Sequence, residues 1–107
     1  MKSTKVFWGD AVLEIEDSNE RGEKYPIELE YYKIRSNRTN LVEEEYEVYG
    51  IEIIKKEYIG DKVNIESECV ENITKNENTL NKVMKILRDN TVTPITLNDV
   101  ISDMFHE

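Results

Sequence analysis

The side chains that most often carry out chemistry in proteins are few in this chain, apart from its carboxylates. The only histidine, His106, is next to last in the sequence, where a nucleophilic triad would not be held in place. With Cys69 as the only cysteine, a zinc site and an intramolecular disulfide lack ligands or partners. The four glycines are not clustered, which excludes a glycine-rich phosphate loop. The sequence therefore predicts no catalytic residue, no cofactor and no metal ligand.

Paired carboxylates are the remaining route to enzyme chemistry. Glu43, Glu44, Glu45 and Glu47 stand close together in the chain, and such a group could gather a divalent ion. Side chains alternate between the two faces of a strand, however, so a contiguous run divides its carboxylates between both faces. We therefore interpret the run as a solvated, self-repelling loop edge, and a divalent-ion-dependent enzyme is our third functional hypothesis.

Overall composition bounds the class of protein. The chain has 107 residues, enough for one domain, and 23 acidic against 14 basic residues give it a formal net charge of −9. A surface of this sign repels the phosphate backbone of nucleic acids. No apolar run approaches the ~20 residues of a membrane helix, and the N-terminus lacks a signal-peptide pattern. We expect a single cytoplasmic domain over residues 1–107.

Alternation of apolar and polar side chains with a period of two predicts four β-strands. Gly9 with Asp10 can bulge the first of them. In the third, a bulge near Gly50 would bring Tyr46 and Val48 onto the face of Tyr49. The predicted strands span about 5–16, 25–35, 44–58 and 62–72.

The connection between the third and fourth strands is Gly60-Asp61, a pair typical of two-residue type II′ or I′ hairpins. In the fourth strand the apolar parity is predicted to face the core, and Cys69, which shares that parity, is predicted to be a buried, inert thiol. The residues with this inward parity are Val63, Ile65, Ser67 and Cys69.

After Ile73 the apolar period changes to about 3.6, which predicts helices over about 75–89 and 97–105. Thr74 with Glu77 matches a capping box at the start of the first helix. Thr96 with Asp99 repeats that pattern at the start of the second. The predicted fold class is α+β: an antiparallel meander of about four strands followed by a C-terminal helical hairpin packed on one sheet face.

Two short helices cover only one face of such a sheet, so the other face must meet water or a partner. By parity that face carries aromatic and aliphatic side chains among its charged residues. Aromatic and apolar patches of this kind are favoured in protein interfaces. Cross-strand pairing on a wetted sheet face is the alternative interpretation. Our first functional hypothesis is a small non-enzymatic interaction or regulatory protein that binds a protein partner or itself. The candidate surface consists of Tyr32, Ile34, Ile54 and Tyr58.

A nucleic-acid-binding accessory protein is the second hypothesis. It depends on basic residues assigned to the first helix, where they would share roughly one face. A solvated outer face of an amphipathic helix explains the same residues without a partner, so a nucleic-acid partner is disfavoured. The residues in question are Lys75, Lys82, Lys85 and Arg88.

Two strings in the second half of the chain are distinctive together: YGIEI at 49–53 and VTPITLNDVISD at 92–103. With them, residues 25–105 resemble a family of small proteins from clostridia and related spore-forming Firmicutes that is catalogued as a domain of unknown function. The resemblance implies a cytoplasmic bacterial protein. It implies no activity, ligand or catalytic residue.

Overall fold

The computed structural model describes residues 3–16 and 24–105, and His106 lies outside this part of the chain. The elements follow one another as four strands and two helices, and this arrangement confirms the predicted α+β class. Three of the strands, β1, β2 and β4, run further than predicted, most of all β2, which continues to Thr39. The elements are β1 (Ser3–Glu16), β2 (Lys24–Thr39), β3 (Glu45–Ile59), β4 (Lys62–Thr74), α1 (Glu77–Asp89) and α2 (Pro94–Met104).

The strands form one antiparallel sheet in the order β1-β2-β3-β4. Gly60 and Asp61 form the predicted two-residue turn between Ile59 and Lys62. Gly60 has a φ of 62° while Asp61 has no positive φ, which matches a type II′ turn with glycine at its first central position. In β1, the register shifts between Phe7 and Gly9, so the bulge predicted there is confirmed.

The core lies between one face of the sheet and the two helices. This covered face presents the alternating apolar residues of β2 and β3, and Tyr31, Leu29, Ile51 and Ile53 are among the fully buried side chains. The helices contribute one apolar side each, because the apolar residues of α1 recur every three to four positions. The helical core residues are Leu80, Val83, Met84, Leu87, Leu97 and Ile101. We call the opposite side of the sheet the open face.

The prediction of a bulge within β3 is wrong. β2 and β3 stay in register from Ile27↔Glu57 to Thr39↔Glu45, so Tyr46 and Val48 lie on the open face, opposite to Tyr49. The irregularity belongs to β4, where the residues between Val70 and Thr74 are extra relative to Gly50. Asn72 within this bulge has a φ of 58°, a value that asparagine tolerates better than most residues.

The predicted orientation of β4 is also wrong. The tight turn pairs Tyr58 with Val63 and Lys56 with Ile65, and paired residues project from the same face. Because Tyr58 and Lys56 belong to the open face, the apolar parity of β4 lies there too. The side chains on the covered face of β4 include Glu66 and Glu68.

Helix α1 begins at Glu77, two residues later than predicted. Its N-cap is Asn76, whose Oδ1 accepts a hydrogen bond of 3.0 Å from the Thr79 amide. Thr74 remains in β4, and its Oγ1 accepts from the Asn76 amide at 3.1 Å. Glu77 instead pairs with Lys33 of β2 at 2.9 Å. The predicted Thr74–Glu77 capping box is therefore replaced by an asparagine cap.

Helix α2 begins at Pro94, three residues earlier than predicted. Proline suits the first helical position because its fixed φ is helical and its missing amide hydrogen would have had no partner there. Thr93 is the N-cap but makes no side-chain capping bond, and Thr96 lies inside the first turn, so the Thr96–Asp99 capping box does not form. No helix among the described residues is long and apolar enough to cross a membrane.

Candidate functional site

The open face carries all four residues of the predicted interaction surface, but not all are accessible. Tyr32 and Ile54 are half-buried and Tyr58 is exposed. Ile34 lies on this face and is only 6% exposed, so it is not available to a partner. The accessible part of the predicted surface is therefore Tyr32, Ile54 and Tyr58.

The burial of Ile34 is associated with the bulge of β4. Ile34 pairs with Gly50, and a Cβ atom at Gly50 would lie 2.5 Å from the Val70 carbonyl oxygen and 2.9 Å from Glu71 Cα. The backbone of β4 thus lies against β3 on the side where a Gly50 side chain would project. Val48, which follows on the same face, is also buried. This end of the open face is closed by the chain itself.

The other end of the open face, next to the β3–β4 turn, is apolar and exposed. Tyr58, Val63 and Ile65 are 36%, 48% and 63% exposed, and we call them the hairpin patch. Sequence reasoning assigned Val63 and Ile65 to the core and so missed two of the three. The two-residue turn could have revealed them, because it forces Val63 to share the face of Tyr58.

The covered face at the same end of β3 and β4 is polar. Lys55 Nζ lies 3.0 Å from a Glu57 carboxylate oxygen and 3.7 Å from one of Glu66. The hydrogen bond to Glu57 raises the pKa of Lys55. The usual arrangement of a half-solvated sheet is thus reversed here, with charged side chains on the helix side and apolar ones on the open side.

Further along the open face, Tyr32 is the centre of a small cluster. The Phe7 ring packs edge-on against it with centroids 5.6 Å apart, and Lys5 Nζ lies 4.6 Å from the Tyr32 centroid. Lys5 also pairs with Glu52 at 3.0 Å, and this hydrogen bond raises the pKa of Lys5. Burial, and then Glu30, raises the pKa of Tyr32. The phenol is neutral at physiological pH and acts here as an apolar ring with a polar tip.

Between the Tyr32 cluster and the hairpin patch, Lys56 lies between two carboxylates of β2. Its Nζ lies 3.4 Å from Glu30 and 3.8 Å from Glu28. The hydrogen bond to Glu30 raises the pKa of Lys56. Tyr58 Oη also donates to Glu28 at 3.4 Å. Lys5 and Lys56 are therefore each paired with carboxylates of the same face.

The thiol of Cys69 lies on the open face, opposite Glu52, and is exposed. The prediction of a buried thiol is wrong because the register of β4 places its apolar parity, which includes Cys69, on the open face. Partial burial, followed by the nearby carboxylates of Glu52, Glu71 and Glu68, raises the pKa of Cys69. A protonated thiol is a poor nucleophile, so nothing in this environment activates it.

The four predicted basic residues do not form one face of α1. Lys75 precedes the helix and its Nζ lies 4.4 Å from the centroid of the Tyr46 ring. Lys85 pairs with Asp89 at 2.7 Å, and Arg88 lies over the Trp8 ring at 4.9 Å. Lys82 is exposed. The structure separates Lys75 from the other three.

The acidic run lies partly in the β2–β3 loop and partly at the start of β3. Glu43, Glu44, Glu45 and Glu47 are all exposed, and Glu43 has a positive φ of 61° in the β2–β3 loop. Glu47 accepts a hydrogen bond of 2.8 Å from Tyr49 Oη. Among residues 3–16 and 24–105 no group of three or more acidic, histidine or cysteine side chains is arranged to hold a metal ion.

Comparison with known proteins identifies the family of the chain and nothing more specific. No curated protein and no solved structure matched the chain. A family model described as a family of unknown function, DUF6514, matches residues 11–107. Because this match covers nearly the whole sequence, including every strand and helix after the β1 bulge, the chain belongs to the DUF6514 family of unknown function.

Proposed function

We propose that this chain is a small non-enzymatic interaction protein that associates with a second copy of itself through the open face of the sheet. The observation that carries the proposal is the hairpin patch. Tyr58, Val63 and Ile65 expose apolar surface on strands whose opposite side, at the same level, carries Lys55 and Glu57. Folding of the monomer leaves this apolar surface in water, and contiguous exposed apolar surface is typical of binding sites.

A second copy suits this face because the lysines near its centre are already paired with carboxylates of the same face. Lys5 is paired with Glu52, and Lys56 with Glu30 and Glu28. When two such faces meet, these lysines reduce the repulsion between the carboxylates of the two copies, although the chain as a whole has a charge of −9. A two-fold contact places the same patch on both partners and is the commonest form of self-association.

The face is large enough for a stable contact. The molecule measures 62 × 29 × 17 Å, so its broad side spans roughly 1,800 Å², and a standard interface uses roughly 800 Å² on each partner. The hairpin patch, Ile54 and the Tyr32 cluster lie along one diagonal of this side. Aromatic side chains among paired charges are typical of interfaces between separately folded proteins.

Sedimentation equilibrium over a range of concentrations tests the proposal. We expect a monomer–dimer equilibrium with a dissociation constant in the micromolar range, roughly 1–100 µM for a modest interface. Ile65→Lys should raise that constant at least about tenfold, because it places a charge in the apolar patch. Leu41→Lys is the matched control, since Leu41 is fully exposed in the β2–β3 loop, outside the patch.

The single cysteine provides an independent measurement on the same face. Cys69 is exposed and lies opposite Glu52, so association should slow its alkylation as the protein concentration rises. A chain that stays monomeric at high concentration, or a dimer that Ile65→Lys and Leu41→Lys weaken equally, would contradict the proposal. Pairing along the free edge of β1, which lies at the opposite side of the sheet from Cys69, would leave the alkylation rate constant and would contradict it as well.

Nucleic-acid binding is a weaker second candidate. Of the four basic residues that suggested it, Lys85 is neutralised by Asp89, Arg88 packs on Trp8, and Lys75 precedes the helix and lies over the Tyr46 ring. A gel shift at low salt that disappears on replacing Lys82 and Lys85 would be required to favour it.

A further inference from the structure

A second feature of the structure lies at the opposite end of the sheet from the hairpin patch and does not depend on the proposed self-association. A cavity of about 420 Å³ opens there between β2, β3 and the bulged end of β4. Its volume is within the range of small-molecule sites. The cavity is lined by Arg38, Tyr46, Val48, Asn72, Ile73, Thr74 and Lys75. We call it the Arg38 cavity.

The charge of this lining differs from that of the rest of the molecule. It contains two cations, Arg38 and Lys75, and no carboxylate, although the chain has 23 acidic residues. Within the part of the chain that the structure describes, neither cation forms an ion pair. Lys75 instead lies over the Tyr46 ring. The cavity is thus a local site of positive charge on an acidic protein.

The hydrogen-bonding groups of the lining are predominantly donors. Asn72 Oδ1 already accepts from Arg38 Nη2 at 2.9 Å, and Thr74 Oγ1 already accepts from the Asn76 amide. The Asn72 amide group, the Thr74 hydroxyl hydrogen and the Lys75 ammonium are left to donate. Arg38 Nε is buried and has no acceptor within the described residues, so only one hydrogen bond holds the guanidinium. These donors complement a ligand whose polar atoms only accept hydrogen bonds.

A phosphate monoester fits these groups better than a carboxylate does. The phosphate monoester carries nearly two negative charges at neutral pH and three acceptor oxygens. A carboxylate carries one negative charge and two acceptor oxygens. Arginine and lysine together are the usual partners of such a group. The cavity is larger than a phosphate alone, and the Tyr46 ring, Val48 and Ile73 give the rest of it an apolar wall. The phosphate of such an ester would occupy the donor-lined part of the cavity, and a small organic group would contact the apolar wall.

We infer that the Arg38 cavity is a binding site for a small phosphate monoester, with Arg38 and Lys75 as its charge partners, and Asn72 and Thr74 as neutral donors. The bulge of β4 creates the site, because the positive φ of Asn72 brings its side chain to Arg38. The ligand would join the start of β3 to the end of β4, next to the N-terminus of α1.

Titration of the ¹⁵N-labelled chain with phenyl phosphate, followed by amide chemical shifts near pH 7.5, tests this inference. We expect saturable shifts confined to residues 37–39, 45–48 and 71–77. Benzoate, which has the same ring and one charge, should bind at least about tenfold more weakly, and inorganic phosphate should bind at the same residues but more weakly than the ester.

Matched variants assign the contribution of the two cations. Lys75→Gln and Arg38→Gln should each weaken binding roughly tenfold or more, as expected for the loss of a charged hydrogen-bond donor. Lys82→Gln removes the same charge from an exposed site on α1 outside the cavity and should leave binding unchanged. Because Lys75 lies outside the core, Lys75→Gln decides the question if Arg38→Gln does not fold.

Three results would overturn the inference. One is the absence of saturable shifts with phenyl phosphate at 10 mM, taken as roughly the weakest affinity of a built site. The second is an equal loss of binding in Lys82→Gln and Lys75→Gln, which would show general charge attraction only. The third is much tighter binding of a phosphotyrosine peptide than of phenyl phosphate, which would assign the cavity to a protein ligand instead of a small molecule.

Discussion

The hydroxyl of Tyr31 donates a hydrogen bond of 3.0 Å to the backbone carbonyl of Val92, which connects the middle of the sheet to the linker between the two helices. Tyr31 is completely buried, so its hydroxyl depends on this carbonyl as a hydrogen-bond acceptor. The contact closes a sequence separation of 61 residues. It fixes where the helical hairpin sits on the covered face.

Tyr31→Phe removes this hydrogen bond while it retains the ring. We expect the free energy of unfolding to fall by about 1–3 kcal/mol, because the Val92 carbonyl loses a buried partner. Urea denaturation at pH 7 measures the change. Tyr58→Phe is the control, since the Tyr58 hydroxyl is exposed and its 3.4 Å contact with Glu28 contributes little. Equal effects of the two substitutions would contradict the role of the Tyr31 contact.

Alkaline pH should destabilise the fold through the same residue. Burial raises the pKa of Tyr31 to about 12 from its ordinary value of 10.0. Above pH 10 the unfolded chain loses this proton while the folded chain keeps it, so the free energy of unfolding falls as pH rises. The contribution is fully present below pH 10, and we expect about 2–3 kcal/mol to be lost between pH 10 and 12.

The measurement compares the unfolding free energy of the natural chain and of Tyr31→Phe at several values of pH from 9 to 12. All other titrating groups are common to both, so the difference between the two curves isolates Tyr31. The natural chain should lose stability more steeply above pH 10. Parallel curves would show that Tyr31 ionises equally well in both states.

Gly50→Ala should destabilise the sheet. A Cβ at this position would meet the Val70 carbonyl oxygen at 2.5 Å and the Glu71 Cα at 2.9 Å, and both are backbone atoms that cannot turn away. We expect a loss of about 1–3 kcal/mol in unfolding free energy. Gly9→Ala is the matched control, because its Cβ would contact only the flexible Arg88 side chain, at 3.4 Å. A smaller effect at Gly50 than at Gly9 would contradict the close approach of β4.

Ile34 and Ile54 lie on the same face of the sheet but differ in burial. Ile34→Ala should cost about 2–4 kcal/mol of unfolding free energy, in the range of buried aliphatic truncations. Ile54→Ala should cost less, because the half-buried side chain already contacts water. Thermal denaturation of the two variants at low protein concentration, where self-association is minimal, gives the comparison. The reverse order would contradict closure of the open face by β4.

Asn76→Ala should destabilise α1 by about 1 kcal/mol, since it removes the acceptor for the Thr79 amide. Thr93→Ala provides the comparison, because Thr93 caps α2 without a side-chain hydrogen bond and should change stability by much less. Denaturant midpoints of the two variants test this difference. If Thr74→Ala proves as costly as Asn76→Ala, the cap is shared between the two residues.

The candidate surfaces show why pattern alone misplaced some residues. The apolar parity of β4 predicted that Val63 and Ile65 face the core, but the two-residue turn fixes the register, and register determines the face. The core continues to this level in β2, where Ile27 pairs with Glu57, but β4 presents its polar parity to the covered face. The polar parity can occupy the covered face at that end, where Glu66 pairs with Lys55.

The number, order and class of the elements could be predicted from the sequence, because periods of two and 3.6 and the Gly60-Asp61 turn are local properties of the chain. What each face of the sheet contacts depends on long-range packing. The β4 bulge buries Ile34 and brings Asn72 to Arg38, and both effects depend on contacts between residues far apart in sequence. Periodicity encodes which side chains share a face. The partner of that face is set by the packing of other segments, which no local pattern contains.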